Sequence, residues 1–141
     1  MASTPLEFTK QVDDWTKKTE ARMLAVFKQS TQTLTNKIQS RVPVDTGFAK
    51  ASIMASLSAM PKIDSSKKGG SSLPSGNNVT SVIASAKMGD TVYVGWTASY
   101  VQYLEWGHSK QAPQGFVGIT SLEWPQIVAT TIAQAKVEAS K

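Results

Sequence analysis

Arg41-Val42-Pro43-Val44-Asp45-Thr46-Gly47-Phe48-Ala49-Lys50-Ala51-Ser52-Ile53 separates two kinds of patterning in this 141-residue chain. Upstream, Phe8, Val12, Trp15, Met23, Val26, Phe27, Leu34 and Ile38 recur at three- and four-residue steps with Lys, Gln, Asp and Thr between them, the period of one helix face. Downstream, Ile53, Ala55, Leu57 and Ala59 alternate with Met54, Ser56, Ser58 and Met60, the period of a strand with one face buried. Pro43 sets the boundary. Its ring pushes residue 42 toward extended geometry, and Asp45-Thr46-Gly47 has the chemistry of a turn or of a cap for the next element.

The upstream helix has a start signal in Thr4-Pro5-Leu6-Glu7: a threonine cap, proline at the first helical position, and a glutamate that closes a capping box. No glycine or proline interrupts until Pro43, so one helix of about 35 residues and about 50 Å is implied. A break near Ser30-Thr31-Gln32-Thr33, where helix propensity dips, is the alternative. An unbroken helix of that length exceeds what a small domain can cover, which leaves apolar surface for a partner chain. Further on, Val79 to Lys87 and Thr91 to Thr97 read as two strands joined by a tight Met88-Gly89-Asp90 turn, with Val92, Val94 and Trp96 on one face. Tyr100 to Trp106 reads as a short helix stopped by Gly107. His108 to Gly118 reads as a loop holding an apolar plug, Phe116-Val117. A last helix runs from about Ser121 to Ala139, with Trp124, Val128, Ile132 and Ala135 as its buried stripe. Residues 61–78, rich in Ser, Gly and Lys, lack the apolar surface to offset chain entropy and are expected to form a mobile loop. The fold class is α+β: long amino-terminal and carboxy-terminal helices on a small antiparallel sheet, in one domain.

Composition narrows the chemistry. The chain has no cysteine and one histidine, so disulfides, thiolate metal sites and a His cluster within one chain are excluded, and no cofactor is implied. No apolar run is long enough to cross a bilayer, and Met1-Ala2-Ser3-Thr4-Pro5 lacks the design of a signal peptide; a cytoplasmic setting without membrane contact is expected. The formal charge is +5. Its excess lies in the first half, and Lys62, Lys67 and Lys68 sit in the polar loop, so a nucleic-acid-binding module is one reading. An ordinary solvated surface is the other.

Three catalytic patterns are present in part. Asp45-Thr46-Gly47 is the tripeptide of dimeric aspartic proteases, and Tyr93-Val94-Gly95 offers the apolar pair before a glycine. Those enzymes, however, set the tripeptide in an apolar strand, whereas here a long helix precedes it. His108 with Ser109 or Ser52 and Asp45 contains the residue types of a Ser/His/Asp triad, but no serine sits in a Gly-x-Ser-x-Gly elbow. Glu105 is a candidate general base, or a group that bonds nearby backbone donors. The aromatic set Tyr93, Trp96, Tyr100, Tyr103 and Trp106 has few cations interleaved and suits core or subunit contact better than base stacking.

Two motif blocks remain: Pro43-Val44-Asp45-Thr46-Gly47 after a helix and before a strand, and Tyr100-Val101-Gln102-Tyr103-Leu104-Glu105-Trp106-Gly107 running into Gln111-Ala112-Pro113-Gln114-Gly115-Phe116 and a last helix. In order and spacing they resemble the small tail-component proteins of long-tailed bacteriophages, which serve as neck or tail-completion subunits where head joins tail. The resemblance implies a structural virion protein and not an enzyme. It implies assembly in the host cytoplasm and a homo-oligomeric ring, a hexamer by preference, that meets neighbouring neck, tail-terminator or tail-tube proteins. Pro43, Asp45, Thr46, Gly47, Tyr100, Tyr103, Glu105, Trp106, Gly107, Pro113, Gly115 and Phe116 are the implied turn or interface residues. Lys62, Lys67 and Lys68 are candidates to line a DNA channel.

Overall fold

A computed structural model describes residues 4–44, 47–70, 72–107, 111–112 and 114–139. Helix α1 spans Pro5–Arg41 without a break, about 55 Å of rise. The capping box forms: Thr4 Oγ1 accepts the Glu7 N–H at 3.2 Å, and Glu7 Oε2 accepts the Thr4 N–H at 3.0 Å. The threonines near the expected weak point stay helical, their hydroxyls turned back along the helix so that Thr31 and Thr35 donate to the carbonyls of Phe27 and Thr31. Val42 is extended, φ −63 and ψ 127, as the following Pro43 requires.

After α1 come α2 (Phe48–Ala51), β1 (Ile53–Ser56), α3 (Val79–Ser85), β2 (Tyr93–Trp96), α4 (Val101–Glu105), α5 (Val117–Ser121) and α6 (Trp124–Ala139). β1 and β2 pair antiparallel in the register Ile53↔Trp96, Met54↔Gly95, Ala55↔Val94, Ser56↔Tyr93. The expected strand over Val79–Lys87 is a correction: Val79–Ser85 is helical. At its start one side chain meets the outer edge of β1, where Asn78 Oδ1 accepts the Ala55 N–H at 2.7 Å and its Nδ2 donates to Ala55 O at 2.9 Å. With β1 paired in this way, Val79 and Ile83, one helical turn apart, are buried in the core. The strand from Ile53 ends at Ser56, whose hydroxyl accepts the Ser58 N–H in a local turn. The loop expected over 108–118 gives way to α5 from Val117, and the last helix starts at Trp124.

α6 runs antiparallel to α1. Its start is tied to the end of α1, where Glu123 pairs with Lys37 at 3.4 Å and with Arg41. Its last turns lie level with Trp15 and Thr19. Its buried positions are Ile127 and Thr131, whereas Ile132 is 39% exposed; the expected stripe is rotated, with its Val128 and Ile132 edge left toward solvent. The core gathers Ile38, Val42, Phe48, Ile53, Val79, Ile83, Trp96, Val101 and Phe116. Only the second half of α1 reaches it. Toward the other end Leu6, Phe8, Trp15 and Met23 are 83%, 61%, 67% and 56% exposed.

The described part of segment 61–78 is tied at its end to β1 through Asn78 and, near its start, to the residues that follow β2. Asp64 donates its N–H to Thr97 O, Ser99 donates to Lys67 O, and Lys67 Nζ reaches Thr97 Oγ1 at 2.9 Å. The Ser66 hydroxyl and N–H on Asp64 Oδ1 lower the pKa of that carboxyl.

Candidate functional site

The two motif blocks, distant in sequence, meet at the end of the molecule where α1 stops. Val44 donates its N–H to Gln111 Oε1 at 2.7 Å, and Gln111 Nε2 donates to Val44 O at 2.8 Å. One amide side chain thus pairs with the backbone as a neighbouring strand would. Beside it the rings of Phe48 and Tyr100 are 6.3 Å apart. Trp96 stands edge-on to Phe116 at 5.7 Å, and its indole N–H donates to Gln39 Oε1 of α1 at 2.6 Å.

Glu105 is the hub of the second block. Its Oε2 accepts the N–H groups of Phe116 and Val117 at 3.1 and 2.7 Å, and its Oε1 accepts that of Gly118 at 2.9 Å. These donors open α5, where no helical carbonyl exists to take them, and a carboxylate is the favoured partner for such a terminus. Gly115 makes the close approach possible. It sits at φ +83, and a Cβ there would lie 2.4 Å from Glu105 O, so only glycine fits. Gly107, at φ +87, closes α4 in the left-handed conformation that helices often end in.

An open cleft of about 410 Å³ lies against this knot, lined among others by Pro43, Gly47, Phe48, Lys68, Tyr100 and Gln111. Among the described residues Lys68 is the one charged residue in its lining, and these hold no acid–base pair. Glu105, a candidate base from sequence, has its two oxygens taken by three backbone donors and works as a cap. Tyr103 and Trp106 stand outside the knot, 57% and 67% exposed and edge-on to each other at 5.9 Å. Of the loop lysines, Lys62 and Lys68 are exposed, whereas Lys67 is held on Thr97. Asp45, Thr46, Pro113 and the His108-Ser109 pair lie outside the described residues.

Sequence reasoning did not single out Gln111, Gln39 or Asn78, three amides that join separate elements. Their only signal is a long polar side chain beside a segment that lacks a backbone partner, which is invisible without the fold.

The site is thus a structural junction, in which the end of α1, Phe48 of α2 and the block from Tyr100 to Glu105 come together. A family described as "Bacteriophage HK97-gp10, putative tail-component" matches residues 7–107. The chain belongs to this HK97-gp10-like family. No curated protein and no solved structure matches it. The matched region runs from the first turn of α1 through Gly107, so the HK97-gp10-like part holds the long helix, both strands and α4. The Gln111 clamp, α5 and α6 come after it. Among the described residues no helix is long and apolar enough to cross a membrane.

Proposed function

We propose that this tail-component-family protein is a structural, non-enzymatic subunit of the virion at the neck or head-proximal end of the phage tail, needed for tail completion and head–tail joining. It acts as a homo-oligomeric ring that meets neighbouring neck, tail-terminator or tail-tube proteins. Supporting this reading, beside family membership, is where the molecule directs its side chains. Glu105 and Gln111 spend their polar atoms on backbone groups of the junction, while the apolar side chains of the first half of α1 are turned to solvent. Contiguous exposed apolar surface of this kind marks protein–protein contact. A ring needs two different patches on each copy, and the long bare helix and the braced junction lie at opposite ends of the chain's longest element.

Electron microscopy of particles made without this protein tests the proposal. Full heads beside unattached or overlong tails are expected; normal tailed particles contradict it.

Exposed Lys62 and Lys68 favour contact with DNA as a second reading. Titration with duplex DNA at several salt concentrations checks it, a steep salt slope at micromolar affinity being the expected signature.

A further inference from the structure

The apolar stripe of α1 repeats every eleven residues: Phe8-Val12-Trp15, then Thr19-Met23-Val26, then Ser30-Leu34. An eleven-residue repeat nearly matches the turn of a straight α-helix, so these side chains keep to one face along the whole rod. The innermost repeat packs on the chain's own domain, and the middle one borders a groove. The outer one is mostly open to solvent: Phe8 is 61% and Trp15 67% exposed, with Leu6 beside them at 83%, and only Trp15, at its inner end, reaches the rim of that groove.

The groove next to the bare repeat has a volume of about 730 Å³ and lies between α1 and α6, lined by Trp15, Met23, Val26, Val128, Ile132 and Ala135 among others. It exists because the stripe is filled with small residues at Thr19 and Ser30 and faces Ala135, which leaves a furrow that two antiparallel helices cannot close. The Ser30 hydroxyl at its inner end is buried and has no hydrogen-bond partner among the described residues.

We propose that the outer repeat of α1 of one copy seats in the α1–α6 groove of a second copy, head to tail, so that each chain offers one arm and one groove. Three observations select a second copy as occupant. The arm carries the same spacing of side chains that α1 already uses against its own α6. The net charges are complementary, since residues 5–15 carry Glu7, Asp13 and Asp14 against Lys10 while Arg22 and Lys136 line the groove. The area is of the right order once the rest of the arm is added: the exposed parts of Phe8 and Trp15 alone offer roughly 200–300 Å², about a third of the about 800 Å² per partner of a stable interface, and Leu6 and Val12 are exposed beside them. The arm cannot serve its own groove, because α1 is unbroken and Phe8 lies about 27 Å along it from Val26. The inference deepens the subunit reading and rests on it for the biological setting of the contact.

The chain has no cysteine, so an engineered pair reports the contact without background. Phe8→Cys with Val128→Cys in one chain cannot close internally over such a distance. Under mild oxidation the double variant is expected to give a ladder of linked species beyond the dimer, with each single variant monomeric. If the Val128 change unfolds the chain, Leu6→Cys with Ile132→Cys, both at exposed positions, replaces it. The ladder's absence from both the purified chain and assembled particles overturns the proposal. So does efficient dimerisation of Phe8→Cys alone, which indicates arm-to-arm pairing, or linkage of the arm to a different virion protein. A ladder from a chain that is absent from particles leaves the interface standing and removes the subunit reading. The chain present in particles without a ladder does the reverse.

Discussion

The two ends of α1 are built on opposite plans. At its carboxy-terminal end, Arg41, Gln39 and the backbone of Val44 are all bonded to later parts of the chain: Arg41 to Thr120 and Glu123, Gln39 to Trp96 and to Lys50 O, Val44 to Gln111. At its amino-terminal end every residue from Thr4 to Lys18 is exposed. The first end is finished within one molecule and the second is not. Glu105 and Gly115, which look functional in sequence, are here braces of the finished end, and the exposed apolar residues of the other end are ordinary Leu, Phe, Val and Trp on a helix face.

Substitutions at the braced end carry the largest expected effects. Gly115→Ala places a Cβ against Glu105 O and forces a left-handed alanine, at a cost of about 2–5 kcal/mol; a denaturant midpoint near that of the unaltered chain contradicts the brace. Gly47→Ala is its control. Gly47 has φ +84 but open space around the missing Cβ, so only about 1–2 kcal/mol of backbone strain is expected. Glu105→Ala strips the opening turn of α5 of its acceptor and is expected to lower stability by about 1–3 kcal/mol, with faster amide exchange at Phe116, Val117 and Gly118. Gln111→Ala costs about 1 kcal/mol, since water can reach the exposed Val44 backbone in its place.

Smaller is the pH effect of the tie between α1 and α6. The Arg41 guanidinium bonded to Glu123, helped by Lys37, holds that carboxyl below its ordinary value of 4.5. A carboxyl lowered in the fold adds stability above its unfolded pKa and loses it as pH falls through the lowered folded one. Thermal unfolding between neutral pH and the acid side of 4.5 should therefore show a modest decline that Glu123→Gln flattens. Smallest of all is the effect on the isolated fold of Phe8→Glu on the arm, expected within about 0.5 kcal/mol, because Phe8 touches no part of the core.

Much of this division is legible in the residues. Thr4 to Glu7 and Pro43 bound α1, and the three- and four-residue steps define its face, so its excess length over the domain follows from the sequence. The short helix before Gly107 is legible for the same reason: one glycine with one conformational need. The helix α3 is not. Val79, Val82 and Ile83 favour a strand by local preference, and burial of Val79 and Ile83, one helical turn apart, in the shared core overrides it. Helices α2 and α5 are too short for any period to announce them. Glu105 is legible as a group that bonds backbone, but which backbone depends on the left-handed turn at Gly115 that returns the chain to it.

A division of α1 into a bare end for assembly and a braced end for folding is tested most directly by the infectious titre of a phage lacking this protein. The phage is supplied with either the unaltered chain or a Leu6→Glu, Phe8→Glu, Trp15→Glu arm variant of confirmed native thermal stability. Restoration is expected from the first, and from the second a titre no better than the deletion. Equal restoration by both contradicts that division.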